Sequence, residues 1–123
     1  PNGAVMLLKS DGTNTSKAIT EKGYFTVTSS AITAFTAVAG DQLLVDTTQT
    51  TVTITLPAAP AVGDEVVFID ARGTFASNNL TIERNGKPIN SGTNNLALAT
   101  NGQAITLVFI DSTRGWAYKT NTA

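Results

Sequence analysis

The stretch QLLVDTTQTTVTITLP, residues 42–57, decides the class of fold. Its second half alternates strictly, with Val52, Ile54 and Leu56 apolar and Thr51, Thr53 and Thr55 hydroxylated. A period of two places the first set on one face of a β-strand and the second on the other, one face dry and one wet. Its first half, QLLVDT, reads as another strand, and the polar TQT between them as a turn. Pro57 and Pro60 end the second strand, because proline has no N–H to give to a ladder.

Working outward, EVVFID (residues 65–70) is a continuous apolar run, expected to be buried on both faces. LTIER (80–84), LALAT (96–100), QAITLVFID (103–111) and WAYKT (116–120) follow as strands, punctuated by Asn85-Gly86, Asn101-Gly102 and STRG. Asn-Gly supplies the two positive φ angles of a tight hairpin turn, so this half is expected to be a meander of hairpins. KPINSGTNN, between them, reads as an irregular crossing or a short edge strand. Upstream, GYFTVTS (23–29) alternates, with Tyr24, Thr26 and Thr28 facing one way and Phe25 and Val27 the other. AITAFTAVAGD (31–41) is divided: its alanines permit a helical turn, while Thr33, Thr36 and Val38 favour strand. No segment carries a 3.6-residue period over a helical length. The expectation is an all-β chain, an antiparallel β-sandwich or a small, jelly-roll-like barrel of about 8–10 short strands with a short N-terminal arm. Residues 1–30 are assigned to the arm and first strands, and residues 31–123 to the β-sandwich domain.

Composition narrows the chemistry. The 123 residues suit one domain, with 14% charged residues and a net charge of −1. Cysteine and histidine are both absent, which removes disulfides, thiolate nucleophiles and the commonest general base and metal ligand. Carboxylates, a lysine or an oxygen-only calcium site remain. The eight Lys and Arg residues do not cluster, so neither nucleic acid nor an anionic membrane is an expected partner. No apolar run reaches the roughly 18 residues of a spanning helix, and no signal-peptide pattern opens the chain. Threonine is about one residue in six, which fits pleated, half-wet surfaces. The chain opens on Pro1, which permits removal of an initiator Met, and is read as a complete natural protein.

One phrase occurs twice: VFID at 67–70 and at 108–111, extended to VFIDARG and VFIDSTRG. GDQLLVD (40–46) is a looser third copy. The spacing is uneven, so it is not a solenoid period. It reads as a strand cassette in which Gly opens the strand, the apolar residues enter the core, and Asp closes it by accepting backbone amides of the next turn. The alternative is that Asp46, Asp70 and Asp111 converge to hold calcium or act as catalytic carboxylates. A calcium loop crowds its acids as D-x-D-x-D, and that pattern is absent. No catalytic, cofactor-binding or metal residue is therefore assigned, and no enzyme is expected. Arg72 and Arg114 are placed to pair with the aspartates of their own turns. Trp116 and Tyr118 alternate on the last strand, either as core or as a sugar-stacking platform.

The run TAVAGDQLLVDTTQTTVTITLPAAPAVGDEVVFIDARGTFASNNLTIERNGKPI, followed by ITLVFIDSTRGWAY, resembles a β domain of tailed-bacteriophage virion proteins, found in tail-fibre, tail and capsid-surface proteins. The likeness covers residues 36–118. It implies a structural role, with no catalytic motif to carry over. Only about 35 residues precede it, without the heptads, collagen-like or β-helical repeats of a fibre stalk.

The resemblance therefore implies a capsid decoration (cement) protein, a homotrimer bound to the major capsid protein on the capsid exterior after assembly in the host cytoplasm. Candidate interface residues are Val5, Met6, Leu7 and Leu8, which serve either as a contact arm or as a first core strand, together with Tyr24, Phe25, Trp116 and Tyr118. The alternative is a tail-fibre or tail-tip module that binds a host receptor or glycan through Trp116, Tyr118, Tyr24 and the Asn78-Asn79 and Asn94-Asn95 loops. A carboxylate hydrolase built on Asp70 and Asp111 is the remaining class.

Overall fold

The structure is a computed structural model and describes residues 8–9, 17–18 and 23–122. These residues form strands and turns and contain no helix. Strands β1 (Leu8–Lys9) and β2 (Lys17–Ala18) pair antiparallel with each other. A five-stranded sheet contains β3 (Tyr24–Thr28), β5 (Gln42–Asp46), β7 (Glu65–Asp70), β10 (Ala104–Asp111) and β11 (Gly115–Thr122), in the order β11-β10-β7-β5-β3. A four-stranded sheet contains β4 (Ala34–Thr36), β6 (Val52–Thr55), β8 (Leu80–Glu83) and β9 (Leu96–Leu98), in the order β4-β6-β8-β9. Both sheets are open, so neither closes into a barrel.

The all-β class is as expected, but the antiparallel pairing is not. β3, β5 and β7 run parallel, and so do β4, β6 and β8. From β3 to β8 the chain changes sheet at every strand and makes three turns of a two-sheet coil. Antiparallel pairing enters the two large sheets only late, at β8–β9, β7–β10 and β10–β11. The physical reason is that alternation reports which face is buried and is silent about the neighbour. Two consecutive strands facing one core can pair in one sheet or face each other across about 10 Å. The five-residue connections 29–33 and 47–51 are long enough for that crossing, at about 3.3 Å per residue. Unequal loops hide the repeat: β3, β5 and β7 start at residues 24, 42 and 65, while β4, β6 and β8 start at 34, 52 and 80.

One hydrophobic cluster spans both sheets. Val27, Leu43, Val45, Val66, Phe68, Ile105, Leu107, Phe109 and Trp116 enter it from the larger sheet, and Phe35, Val52, Ile54, Leu80, Ile82 and Leu98 from the smaller. The run EVVFID is not buried on both faces. Val66 and Phe68 are inside, while Glu65, Val67 and Ile69 are half-buried on the other side. Phe75, from the turn after β7, is also fully buried. Each such side chain contributes about 1.5–3 kcal/mol by leaving water.

The larger sheet begins at Tyr24, since β3 pairs along its whole length with β5. Val5, Met6 and Leu7 lie outside the described residues, and Leu8 pairs with Ala18.

Candidate functional site

The repeated cassette is a repeated joint. At strand entry, Asp41 Oδ2 accepts the Val38 amide at 2.9 Å and Asp64 Oδ2 accepts the Ala61 amide at 2.8 Å. At strand exit, the amide two residues on donates to Oδ1 in all three copies: Thr48 to Asp46 at 2.9 Å, Arg72 to Asp70 at 3.2 Å, and Thr113 to Asp111 at 2.9 Å. The two VFID strands lie side by side and antiparallel, with Ile69 opposite Ala104 and Glu65 opposite Val108. Their aspartates therefore leave at opposite ends of the sheet and do not converge. Asp46 and Asp70 do share an end, because β5 and β7 are parallel neighbours. Arg72 reaches Asp46 there, at 3.4 Å, rather than the Asp70 of its own turn. Arg114 gives its backbone amide to Asp111 at 2.7 Å.

Asp70 is the most committed acid. Its Oδ1 accepts amides from Arg72, Gly73 and Thr74 at 3.2, 2.9 and 3.2 Å, and its Oδ2 accepts from Phe75 and Gly102 at 3.1 and 2.9 Å. It staples the turn after β7 to the corner before β10. Burial pushes its carboxyl up, but the amides of Gly102, Phe75, Thr74 and Arg72 together outweigh this and hold it below the usual carboxylate range. Asp46 is also lowered, first by the Thr48 side chain and then by the Thr48 amide, with Arg72 adding to them against burial. A carboxylate with both oxygens taken by backbone has little left for a substrate or an ion. Among the described residues, no three Asp or Glu side chains are grouped to hold a metal.

The candidate interface residues fall into different settings. Trp116 is fully buried, edge-on to Phe109 at 5.5 Å and 66°, and its indole N–H has no partner. Tyr118 pairs with Leu107 on the same side of the sheet but is 38% exposed, because β11 is the sheet's edge. Trp116 is thus core, the first of the two roles its position allowed, and the two rings make no joint platform. Phe25 stacks on Phe35 at 5.3 Å and packs against the core. Tyr24 is half-buried at the start of β3.

A surface groove of about 540 Å³ is lined by Glu83, Arg84, Asn85, Gly86, Thr93, Asn94 and Asn95. It forms where β8 ends and the chain loops out before β9. Asn85 and Gly86 take φ of 52° and 87°, and the Lys87 amide closes the turn on Arg84 O at 3.2 Å. The turn predicted from Asn-Gly is therefore present, but it joins no hairpin. Asn85 Nδ2 ties it to Leu56 O at 2.9 Å, at the end of β6. The Arg84 guanidinium holds the return limb, through Thr93 O at 2.8 Å and Lys87 O at 3.3 Å. Asn95 Oδ1 accepts the Arg84 amide at 3.2 Å. Arg84 and Asn85 are thus structural, while the Glu83, Thr93 and Asn94 side chains are exposed and suit hydroxyl or amide ligands.

Sequence reasoning named Asn94-Asn95 but missed Glu83 and Arg84, which read only as the end of a strand. The irregular KPINSGTNN beside Asn-Gly was the signal that could have found them. Asn78 is a strut: its amide donates to Thr47 O at 2.8 Å. Among the described residues, no helix is long and apolar enough to cross a membrane. In comparison with known proteins, no protein-family model matches the chain and no curated protein matches it significantly.

Proposed function

We propose that the chain is a structural protein of a tailed-bacteriophage virion, most simply a capsid decoration protein. It clamps neighbouring major-capsid subunits as a homotrimer and works by contact area rather than chemistry. The two open sheets, sharing one core, are read as a β-sandwich of mixed pairing. The observation that carries this reading is the use of the repeated acids. Asp41, Asp46, Asp64, Asp70 and Asp111 each accept backbone amides at strand ends, so the phrase repeated in the sequence is architecture. The virion location is proposed on the resemblance that the sequence of residues 36–118 bears to virion β domains. A capsid clamp adds burial at many copies, and modest contacts sum by avidity. The test is the copy number in purified particles relative to the major capsid protein. Hundreds of copies agree with decoration, and an absence from particles refutes it.

The polar groove favours a second reading, a tail-tip module that binds a receptor glycan. Glu83, Thr93 and Asn94 offer acceptors and donors for sugar hydroxyls. That reading requires a handful of copies per particle and glycan-array binding that is lost in Asn94→Ala. It has no aromatic stacking from Trp116, which is inside.

A further inference from the structure

Two Asn-Gly pairs lie among the described residues, Asn85-Gly86 and Asn101-Gly102. Such a pair can react with itself. The glycine nitrogen, after giving its proton to solvent base, attacks the side-chain carbonyl carbon of the asparagine. A Cγ–N bond forms, the Cγ–Nδ2 bond breaks, and ammonia leaves with a proton from water. The five-membered succinimide then takes up one water at either carbonyl and opens to aspartate or isoaspartate. Glycine in second place favours the step, because it puts no side chain in the way of the ring. The structure treats the two pairs differently. At Asn101-Gly102 both reacting groups are engaged: the Gly102 amide donates to Asp70 Oδ2 at 2.9 Å, and Asn101 Oδ1 accepts the Ala76 amide at 2.8 Å. The Asp70 carboxylate keeps the proton on the Gly102 nitrogen, since an amide anion there would face a like charge. At Asn85-Gly86 neither group is engaged. The Gly86 amide and Asn85 Oδ1 have no hydrogen-bond partner among the described residues, and Gly86 is exposed, with open space where a Cβ would stand. Only the departing nitrogen is held, through Asn85 Nδ2 to Leu56 O at 2.9 Å. Asn85 has to swing out of its left-handed well, at φ 52°, to bring Cγ over the Gly86 nitrogen. The bond that closes the turn against this, from the Lys87 amide to Arg84 O, is long at 3.2 Å.

We propose that Asn85 is a site of spontaneous deamidation in the folded protein, while Asn101 is protected by Asp70 and by the Ala76 amide. The product carboxylate accepts hydrogen bonds and donates none. It no longer bonds Leu56 O and repels that carbonyl, so the turn loses its tie to the end of β6. It also brings a second carboxylate into the groove beside Glu83. The proposal rests on neither reading of function, because it concerns the chain's own chemistry.

The test is incubation of the folded full chain at mildly alkaline pH, beside a second sample in urea. Peptide mass spectrometry with fragmentation then places each modification. In urea the two pairs are expected to react at similar rates. In the folded chain Asn101 is expected to fall about tenfold or more behind Asn85, the scale of one hydrogen bond to a charged acceptor. An Asn101 that reacts as fast as Asn85 in the folded chain overturns the proposal. So does an Asn85 that stays unmodified there. Asn85→Asp makes one of the two products directly. Its urea midpoint is expected to fall below that of the wild type, and an unchanged midpoint overturns the loss of the tie to Leu56.

Discussion

At Asp70, five backbone amides converge on one carboxylate, three on Oδ1 and two, those of Phe75 and Gly102, on Oδ2. Asp70→Asn keeps the shape but turns one acceptor into a donor aimed at other donors. A loss of roughly 2–4 kcal/mol in urea unfolding at neutral pH is expected. The pH dependence follows from the lowered folded-state pKa. The charged form stabilises the native state above the ordinary carboxylate value of about 3.9, and that contribution is lost as pH falls through the lower folded value. Wild-type stability therefore drops below about pH 4, and the gap to Asp70→Asn narrows there. Asp111 ends the same four-residue phrase but sits exposed, with the amides of Thr113 and Arg114. Asp111→Asn is expected to cost under about 1 kcal/mol by the same measurement. The capping role was legible in both copies. Their unequal weight was not, because Gly102 lies 32 residues from Asp70 in the chain.

At the scale of elements, the turns decide where strands go. The limb after Gly86 folds back as a two-residue turn, Asn90 and Ser91 at φ 51° and 68°, closed by mutual hydrogen bonds of Ile89 and Gly92. This limb pairs with the start of β11, through Asn90 N to Trp116 O at 2.7 Å and Trp116 N to Pro88 O at 2.8 Å. Gly115 makes that approach possible. Its φ is +72°, and a Cβ there would overlap the Pro88 carbonyl. Gly115→Ala is expected to cost about 3 kcal/mol or more, since backbone must shift on both sides. Ser91→Gly, by contrast, relieves a non-glycine left-handed residue and is expected to gain about 0.5–1 kcal/mol. Thermal unfolding of the pair separates the two signs. STRG was readable as a turn, whereas its dependence on Pro88 was not, because nothing local records what passes overhead. Asn101-Gly102 shows the same limit: it is a corner between β9 and β10, which lie in different sheets.

Across the described residues, one core joins both large sheets, and the two ion pairs among them are on the surface. Stability should therefore change by less than about 0.5 kcal/mol between low and moderate salt. Unfolding should be a single transition. Trp116, the chain's one tryptophan, reports the core, and far-UV circular dichroism reports the strands. Their denaturation curves should coincide. A separation between them would mean that the two sheets open independently.

Residue order alone determined that this chain is all-β, which side chains of Val52–Leu56 face inward, and where aspartate and glycine punctuate the strands, because a period of two and a capped turn are properties of neighbours along the chain. It could not determine that β5 and β6 sit in different sheets, that β3, β5 and β7 run parallel, or that the two VFID strands point their aspartates apart. Pairing direction leaves no mark on alternation, since a strand buries the same face whichever neighbour it bonds. Only the tertiary structure chose among those neighbours, through loops long enough to cross the core and a limb, Pro88 to Gly92, that lands on β11.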